Sequence, residues 1–231
     1  KIIMNKSSLL ISVKNIEEIK KIYEYANIVD LKNPSDGALG AWKTQQVSKA
    51  IKIYKNKICF SATLGNIRNN DIILKKLLKF DNLGLDYIKI GMFHDSISEF
   101  EEFLNLLKYT KIKTKLVAVF FAENKKLISY VKRNMSIFLN SKLGILLIDT
   151  FNKRSKGLLE IYKLEFLNSF ILLAKKKNIR IGLSGRIRKD QIFELLDLNP
   201  SIIGIRSAVC DKFKREQMIS AKLAGEIRAL F

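Results

Sequence analysis

The sequence predicts an α/β chain folded as one closed (β/α)8 barrel of the TIM type, with residues 1–231 as a single domain. Eight short apolar strand patterns alternate with eight amphipathic helical patterns, and crossovers of this length argue for parallel strands. No linker divides the chain: it has only 2 Pro and 11 Gly, and apolar residues run evenly to both ends. On most of the strands one face is apolar while polar side chains gather on the other, near the C-terminal ends. An open doubly wound sheet shares the alternation and is the main rival; the ring of polar strand ends favours the barrel, whose enzymes place their chemistry there.

Residues 9–13 form the first strand, and after Asn15, a plausible cap, Ile16, Ile19 and Ile22 recur at helical spacing. The second strand, 28–32, stops at Asn33-Pro34, and Ser35-Asp36-Gly37 with Gly40 makes a loop that lets backbone approach a ligand. Helix 44–54 leads to strand 58–63, and helix 71–83 ends at Gly84. Strand 87–91, helix 96–107, strand 115–121 and a lysine-rich helix 124–138 follow. Strand 144–149, helix 158–176, strand 180–184, helix 189–196, strand 202–206 and helix 214–230 complete eight units.

The formal charge of +20 invites a nucleic-acid reading, but only nine of the 42 basic residues are Arg and the lysines are spread along most of the helices. That distribution favours anionic small molecules over polynucleotides. No apolar run reaches the length of a membrane span, no secretory leader is recognisable, and a cytoplasmic location is expected. Cys59 and Cys210 lie too far apart to suggest a disulfide framework or a zinc site. His94, the single histidine, excludes multi-histidine metal sites and reads as structural.

Alternation places Asp30 and Lys32 on one face of the second strand and Val29 and Leu31 on the other. Ser12, Ser61, Thr63, Lys89, Asp149, Ser184 and Arg206 occupy equivalent positions elsewhere, and Lys153 follows Asp149 by four residues. Ammonium groups crowded in one mouth repel one another and burial disfavours their charge, so at least one lysine is expected to have a lowered pKa. A neutral amine attacks carbonyls to form Schiff bases, while carboxylates and a second amine move protons. The bland alternatives are an edge ion pair and lysines that only bind phosphate. Asp30, two residues before Lys32, is expected to serve Lys32; Lys89 has Tyr87 at the matching position and reads as a proton acceptor. Gly182-Leu183-Ser184-Gly185 and Arg206-Ser207-Ala208 follow the seventh and eighth strands, where barrels often bind phosphate. Gly185, Ser207 and Ala208 would bind it through backbone N–H groups and Arg206 through its guanidinium.

These motifs carry a resemblance. D-L-K-N-P-S-D-G-A-L-G-A (30–41), S-A-T-L-G (61–65), D-Y-I-K-I-G (86–91), L-I-D-T-F-N-K (147–153), L-S-G-R-I (183–187) and G-I-R-S-A-V-C (204–210) are similar to those of the (5-formylfuran-3-yl)methyl phosphate synthase family, in order and over nearly the whole chain. The resemblance implies a (β/α)8 lyase of methanofuran biosynthesis. It would condense two glyceraldehyde 3-phosphates into a phosphorylated furaldehyde with release of phosphate and water, using no metal or organic cofactor. By motif, Lys32 resembles the Schiff-base residue and Lys89 the proton acceptor, with Asp30, Asp149 and Lys153 at the other catalytic positions. The chain departs from the family at Ser207, where glycine is usual, and at Asn66, where an acidic residue is usual. A triose phosphate is thus the expected partner, with no nucleic acid and no membrane, and self-association is expected. A different Schiff-base aldolase on the same barrel is the class-level rival, and a basic binding protein the remote one.

Overall fold

The computed structural model describes residues 7–54, 56–139 and 141–231. Eight parallel strands close in sequence order, β1 (Ser8–Val13), β2 (Ile28–Leu31), β3 (Cys59–Thr63), β4 (Tyr87–Gly91), β5 (Lys115–Phe121), β6 (Ile145–Asp149), β7 (Arg180–Ser184) and β8 (Ile202–Ile205), with β8 pairing back onto β1. The expected closed barrel is therefore found, and not the open sheet. The helices are α1 (Ile16–Ile22), α2 (Thr44–Tyr54), α3 (Asn70–Asp81), α4 (Ile97–Tyr109), α5 (Lys125–Arg133), α6 (Leu158–Ile161), α7 (Leu164–Lys175), α8 (Ile192–Asp197) and α9 (Ala221–Arg228). No helix among the described residues is long and apolar enough to cross a membrane.

Period-two alternation divides the core into two layers. Outward strand residues such as Ile11, Val29, Leu31, Ile88 and Ile203 pack with helix residues including Ile19, Phe80, Phe100 and Phe170. Inward residues Leu10, Ile28, Val117, Val119, Phe121, Ile145, Leu147 and Ile202 fill the barrel, joined by Ala38 and Leu39 from the loop after β2. In-register pairing sets Ser12 beside Asp30 and Asp30 beside Ser61, so three polar side chains from three strands share one level above this plug.

Side-chain caps start several helices: Asn15, Asn69, Ser96, Asn124 and Ser220 each accept from a backbone N–H in the first turn. Four predicted helices differ from expectation. Residues 158–176 break at Tyr162–Lys163 into two helices, 124–138 end as α5 at Arg133 with a 3₁₀ turn beyond Asn134, and 189–196 begin with a 3₁₀ turn. The largest difference is at 214–230, where only Ala221–Arg228 is α-helical. Lys212 and Phe213 have φ of 51° and 58°, and the carbonyls of Arg215 and Gln217 accept from the Arg206 guanidinium instead of from helix N–H groups. That segment is consequently a loop across the barrel mouth.

Candidate active site

Lys32 stands immediately after β2, where its backbone N–H still bonds Val13 O at 3.0 Å. The loop that follows is closed by Asn33 N to Gly40 O at 2.8 Å, and the Thr63 hydroxyl donates to the same carbonyl at 2.8 Å. Gly40 admits no side chain, because a Cβ would lie 2.2 Å from Asn33 O. Asn66 pins the loop from β3's end: Leu39 N donates to its Oδ1 at 3.0 Å, and its amide donates to Asp36 O. Leu39 is thereby driven into the barrel, and the cradle around Lys32 is built of backbone.

Asp30, fully buried, lies at the centre of a network: Ser12 Oγ donates to its Oδ2 at 2.8 Å, Ser61 Oγ to its Oδ1, and Lys89 Nζ to Oδ2 at 2.8 Å. Burial alone would raise its pKa, but Lys89 and Lys32 outweigh it and hold the carboxyl below its ordinary value. Asp149 accepts from Thr150 N at 2.7 Å and from Lys153 Nζ through Oδ1, while Oδ2 faces Lys32 Nζ at 3.7 Å. It too is held ionised against its burial, chiefly by Lys153 and Lys32.

The charge pairs thus cross strands in an arrangement that differs from expectation. Lys32's carboxylate is Asp149 on β6, not Asp30, and Asp30 belongs to Lys89. The physical reason is reach: Asp30 and Lys32 share a face two residues apart, but their side chains rise from different levels of the barrel. Lys89, one strand beyond β3, comes up to Asp30 from the side. Lys32 is left with no carboxylate oxygen inside hydrogen-bond distance. Burial, with Lys153 and Lys89 adding repulsion, lowers its pKa from 10.5 to about 7. Lys153 is lowered as well by burial, against the pull of Asp149.

Five of the sequence-derived residues, Asp30, Lys32, Lys89, Asp149 and Lys153, are therefore linked at the C-terminal end of the barrel. A recess of 30 Å³ beside them is lined by Lys32, Asp149 and Lys153, by Ser184 and Gly185 at the end of β7, and by Arg206 and Ser207 after β8. Gly185 has φ +111°, and a Cβ there would fall 2.8 Å from Thr150 N, so the turn requires glycine. Ser207 and Ala208 open a 3₁₀ turn whose first N–H groups have no acceptor within the turn, although Ala208 is not part of the recess wall.

Arg206 requires a correction. Arg206 borders the recess, but its guanidinium pairs with Glu18 of α1, Nη1 to Oε2 at 2.8 Å and Nη2 to Oε1 at 3.2 Å, and donates further to Ser12 O, Arg215 O and Gln217 O. All of its donor nitrogens are engaged within the chain, so it braces the loop. Glu18 was legible in part: Ile22 lies four residues on, which puts a carboxylate on the buried face of α1, where it is fully buried. Arg215 also lines the recess, and its Nη2 donates to Gly37 O at 3.1 Å. The local pattern places Arg215 in the part of helix 214–230 that does not form, so no sequence signal marks it. Phe93, Phe121 and Phe151 form an aromatic cluster, with ring centroids 4.8 to 5.9 Å apart.

A family model described as 4-HFC-P synthase matches residues 9–228. The (5-formylfuran-3-yl)methyl phosphate synthase of Archaeoglobus fulgidus is 29% identical over 230 residues, covering 95% of this chain and 97% of that protein. That of Methanococcus aeolicus is 28% identical over 228 residues, with the same coverage of 95% and 97%. Among solved structures, a 3-hexulose-6-phosphate synthase superposes with a TM-score of 0.65 at 13% identity, over 97% of this chain and 99% of that one. The N-(5'-phosphoribosyl)anthranilate isomerase of Pyrococcus furiosus gives 0.63 at 14% identity, over 97% and 98%. At such identities the solved structures show the shared barrel alone. The family match, spanning nearly the whole chain and the five linked residues, shows that this protein belongs to the 4-HFC-P synthase family.

Proposed function

We propose that this chain is a lyase that condenses two glyceraldehyde 3-phosphate molecules into (5-formylfuran-3-yl)methyl phosphate through an imine on Lys32. The observation that carries this reading is the contrast among the three mouth lysines. Lys89 and Lys153 each donate a hydrogen bond to a carboxylate, whereas Lys32 is buried, has no carboxylate in bonding range and has its pKa lowered to about 7. Near neutral pH a large share of it is the free amine, the nucleophilic form.

Lys32 Nζ attacks the aldehyde carbon, and loss of water from the carbinolamine leaves a protonated imine. Lys89, hydrogen-bonded to Asp30, supplies the proton that the departing hydroxyl needs. The amine it then becomes accepts the proton from C2 of the imine, giving an enamine. The enamine carbon attacks the aldehyde of a second triose phosphate. Loss of one phosphate and, net, two waters, with ring closure and hydrolysis of the Lys32 imine, yields the furan. Asp149 stabilises the iminium on Lys32, and Lys153, bonded to the same carboxylate, is placed to protonate a leaving oxygen. Gly185 and Ser207 present backbone N–H groups to the first phosphate. Family membership and the relatives' names support the product; the residue roles rest on the geometry.

The test is incubation with glyceraldehyde 3-phosphate alone. A furan absorbance with phosphate release is expected, and borohydride is expected to add mass to the peptide bearing Lys32 in the wild type and in Lys89→Ala, but not in Lys32→Ala. Aldol exchange without furan would favour another Schiff-base aldolase. An adduct on Lys89 or Lys153 with Lys32 unmodified would reverse the assignment.

A further inference from the structure

A second, larger cavity lies outside the recess, and its charge is not accounted for by the chemistry at Lys32. It has a volume of 610 Å³ and is bounded by the loops after β2, β6 and β8. Lys153, Arg186, Ser207 and Arg215 line both spaces, so the two adjoin. Two further cations, Arg154 and Lys214, line only the outer one, against the single acidic residue Glu216. Arg154 and Lys214 take part in no ion pair among the described residues, although other exposed cations such as Arg68, Arg188 and Lys189 do.

Lys214 is placed by the irregular segment before α9. The Arg206–Glu18 pair is roofed by the carbonyls of Arg215 and Gln217, and a chain held down at those two points carries Lys214 and Arg215 along the rim. From the other side, Asn152 Oδ1 accepts from Arg154 N at 3.0 Å and Glu123 takes the N–H groups of Phe151 and Asn152, which sets the loop after β6 facing it. Two loops from distant parts of the chain thus aim unpaired positive groups into one concave space. Such an array suits a doubly charged phosphate ester.

We infer that this outer basin is a second phosphate subsite, in which Arg154 and Lys214 hold the phosphate of a second small phosphorylated ligand while the first occupies the recess at Gly185, with Arg215 between the two. That the second ligand is another molecule of substrate rests on the function proposed above; the existence of the subsite does not.

The experiment is equilibrium dialysis with sn-glycerol 3-phosphate, which lacks an aldehyde and cannot form an imine, so the result is independent of catalysis. Two molecules per chain are expected to bind the wild type. Arg154→Ala with Lys214→Ala should leave one, the second weakened at least tenfold, and Arg154→Lys with Lys214→Arg should restore two. Lys125→Ala with Lys126→Ala removes the same charge from an exposed outer position and should leave two. One molecule per chain on the wild type, two unchanged on the Arg154/Lys214 alanine pair, or equal losses in both alanine pairs would overturn the inference. Two bound molecules with no furan produced from glyceraldehyde 3-phosphate would instead refute the proposed reaction and leave the subsite standing.

Discussion

Replacing Lys153 by Met isolates the electrostatics that set Lys32's reactivity. With a pKa of about 7 instead of 10.5, about half of Lys32 is neutral at pH 7, where an ordinary lysine would be about 0.03% neutral. The sign follows directly: the amine is nucleophilic above its pKa and silent below it. The rate of imine formation should therefore fall about 50-fold from pH 7 to pH 5 and rise only about twofold from pH 7 to pH 9. Lys153 contributes to the lowering by repulsion, and it also neutralises Asp149, the carboxylate that favours charge on Lys32. Lys153→Met removes the repulsion and frees the attraction, so both changes push Lys32 upward. The assay mixes enzyme with glyceraldehyde 3-phosphate at each pH, quenches with borohydride at short times and follows mass on the Lys32 peptide. A wild-type rate that keeps climbing tenfold per pH unit up to pH 10, or a midpoint that moves down in Lys153→Met, would refute the reasoning.

Other consequences follow from the same network. Lys89→Met leaves Asp30 fully buried with only two hydroxyl partners, and should destabilise folding by about 3–5 kcal/mol in denaturant titrations, more than Lys32→Met, whose Asp149 keeps Lys153 and Thr150 N. Arg206→Met should act mainly on stability, by a similar amount, because it strands the buried Glu18; a variant with normal stability and lost phosphate affinity would return Arg206 to the binding site. Asp30 and Asp149 have pKa values held below 3.8, so their stabilisation is complete above that value and is lost as pH falls through the lower folded values. Chemical denaturation midpoints should change little in response to these two groups from pH 7 to pH 5 and drop below about pH 4. Asn66→Asp removes the donor to Asp36 O and sets a carboxylate against that carbonyl. Turnover should fall several-fold with the global unfolding midpoint nearly unchanged, since the loop and not the core is loosened.

What the sequence determined by itself is the barrel, the face on which each strand residue lies, and hence the membership of the charged ring. Strand alternation is local: once Val29 and Leu31 face the helices, Asp30 must face the other way, and eight such units with polar strand ends favour a closed barrel over an open sheet. Cap residues were local in the same sense, as Asn15 shows. Partner choice was decided only in three dimensions. Lys89 reaches Asp30 across β3, and Asp149 reaches Lys32 across the barrel axis, contacts that depend on stagger between strands and not on spacing along one of them. The most distant case is Arg206, where sequence order suggested a phosphate ligand and the fold made a brace. Closure of β8 onto β1 brings Arg206 beside Glu18, 188 residues away, and a guanidinium meeting a buried carboxylate pairs with it because leaving either alone is far more costly than giving up a ligand contact. The same brace draws the carbonyls of Arg215 and Gln217 out of helical bonding, which turns an amphipathic pattern into the loop that delivers Arg215 to the mouth.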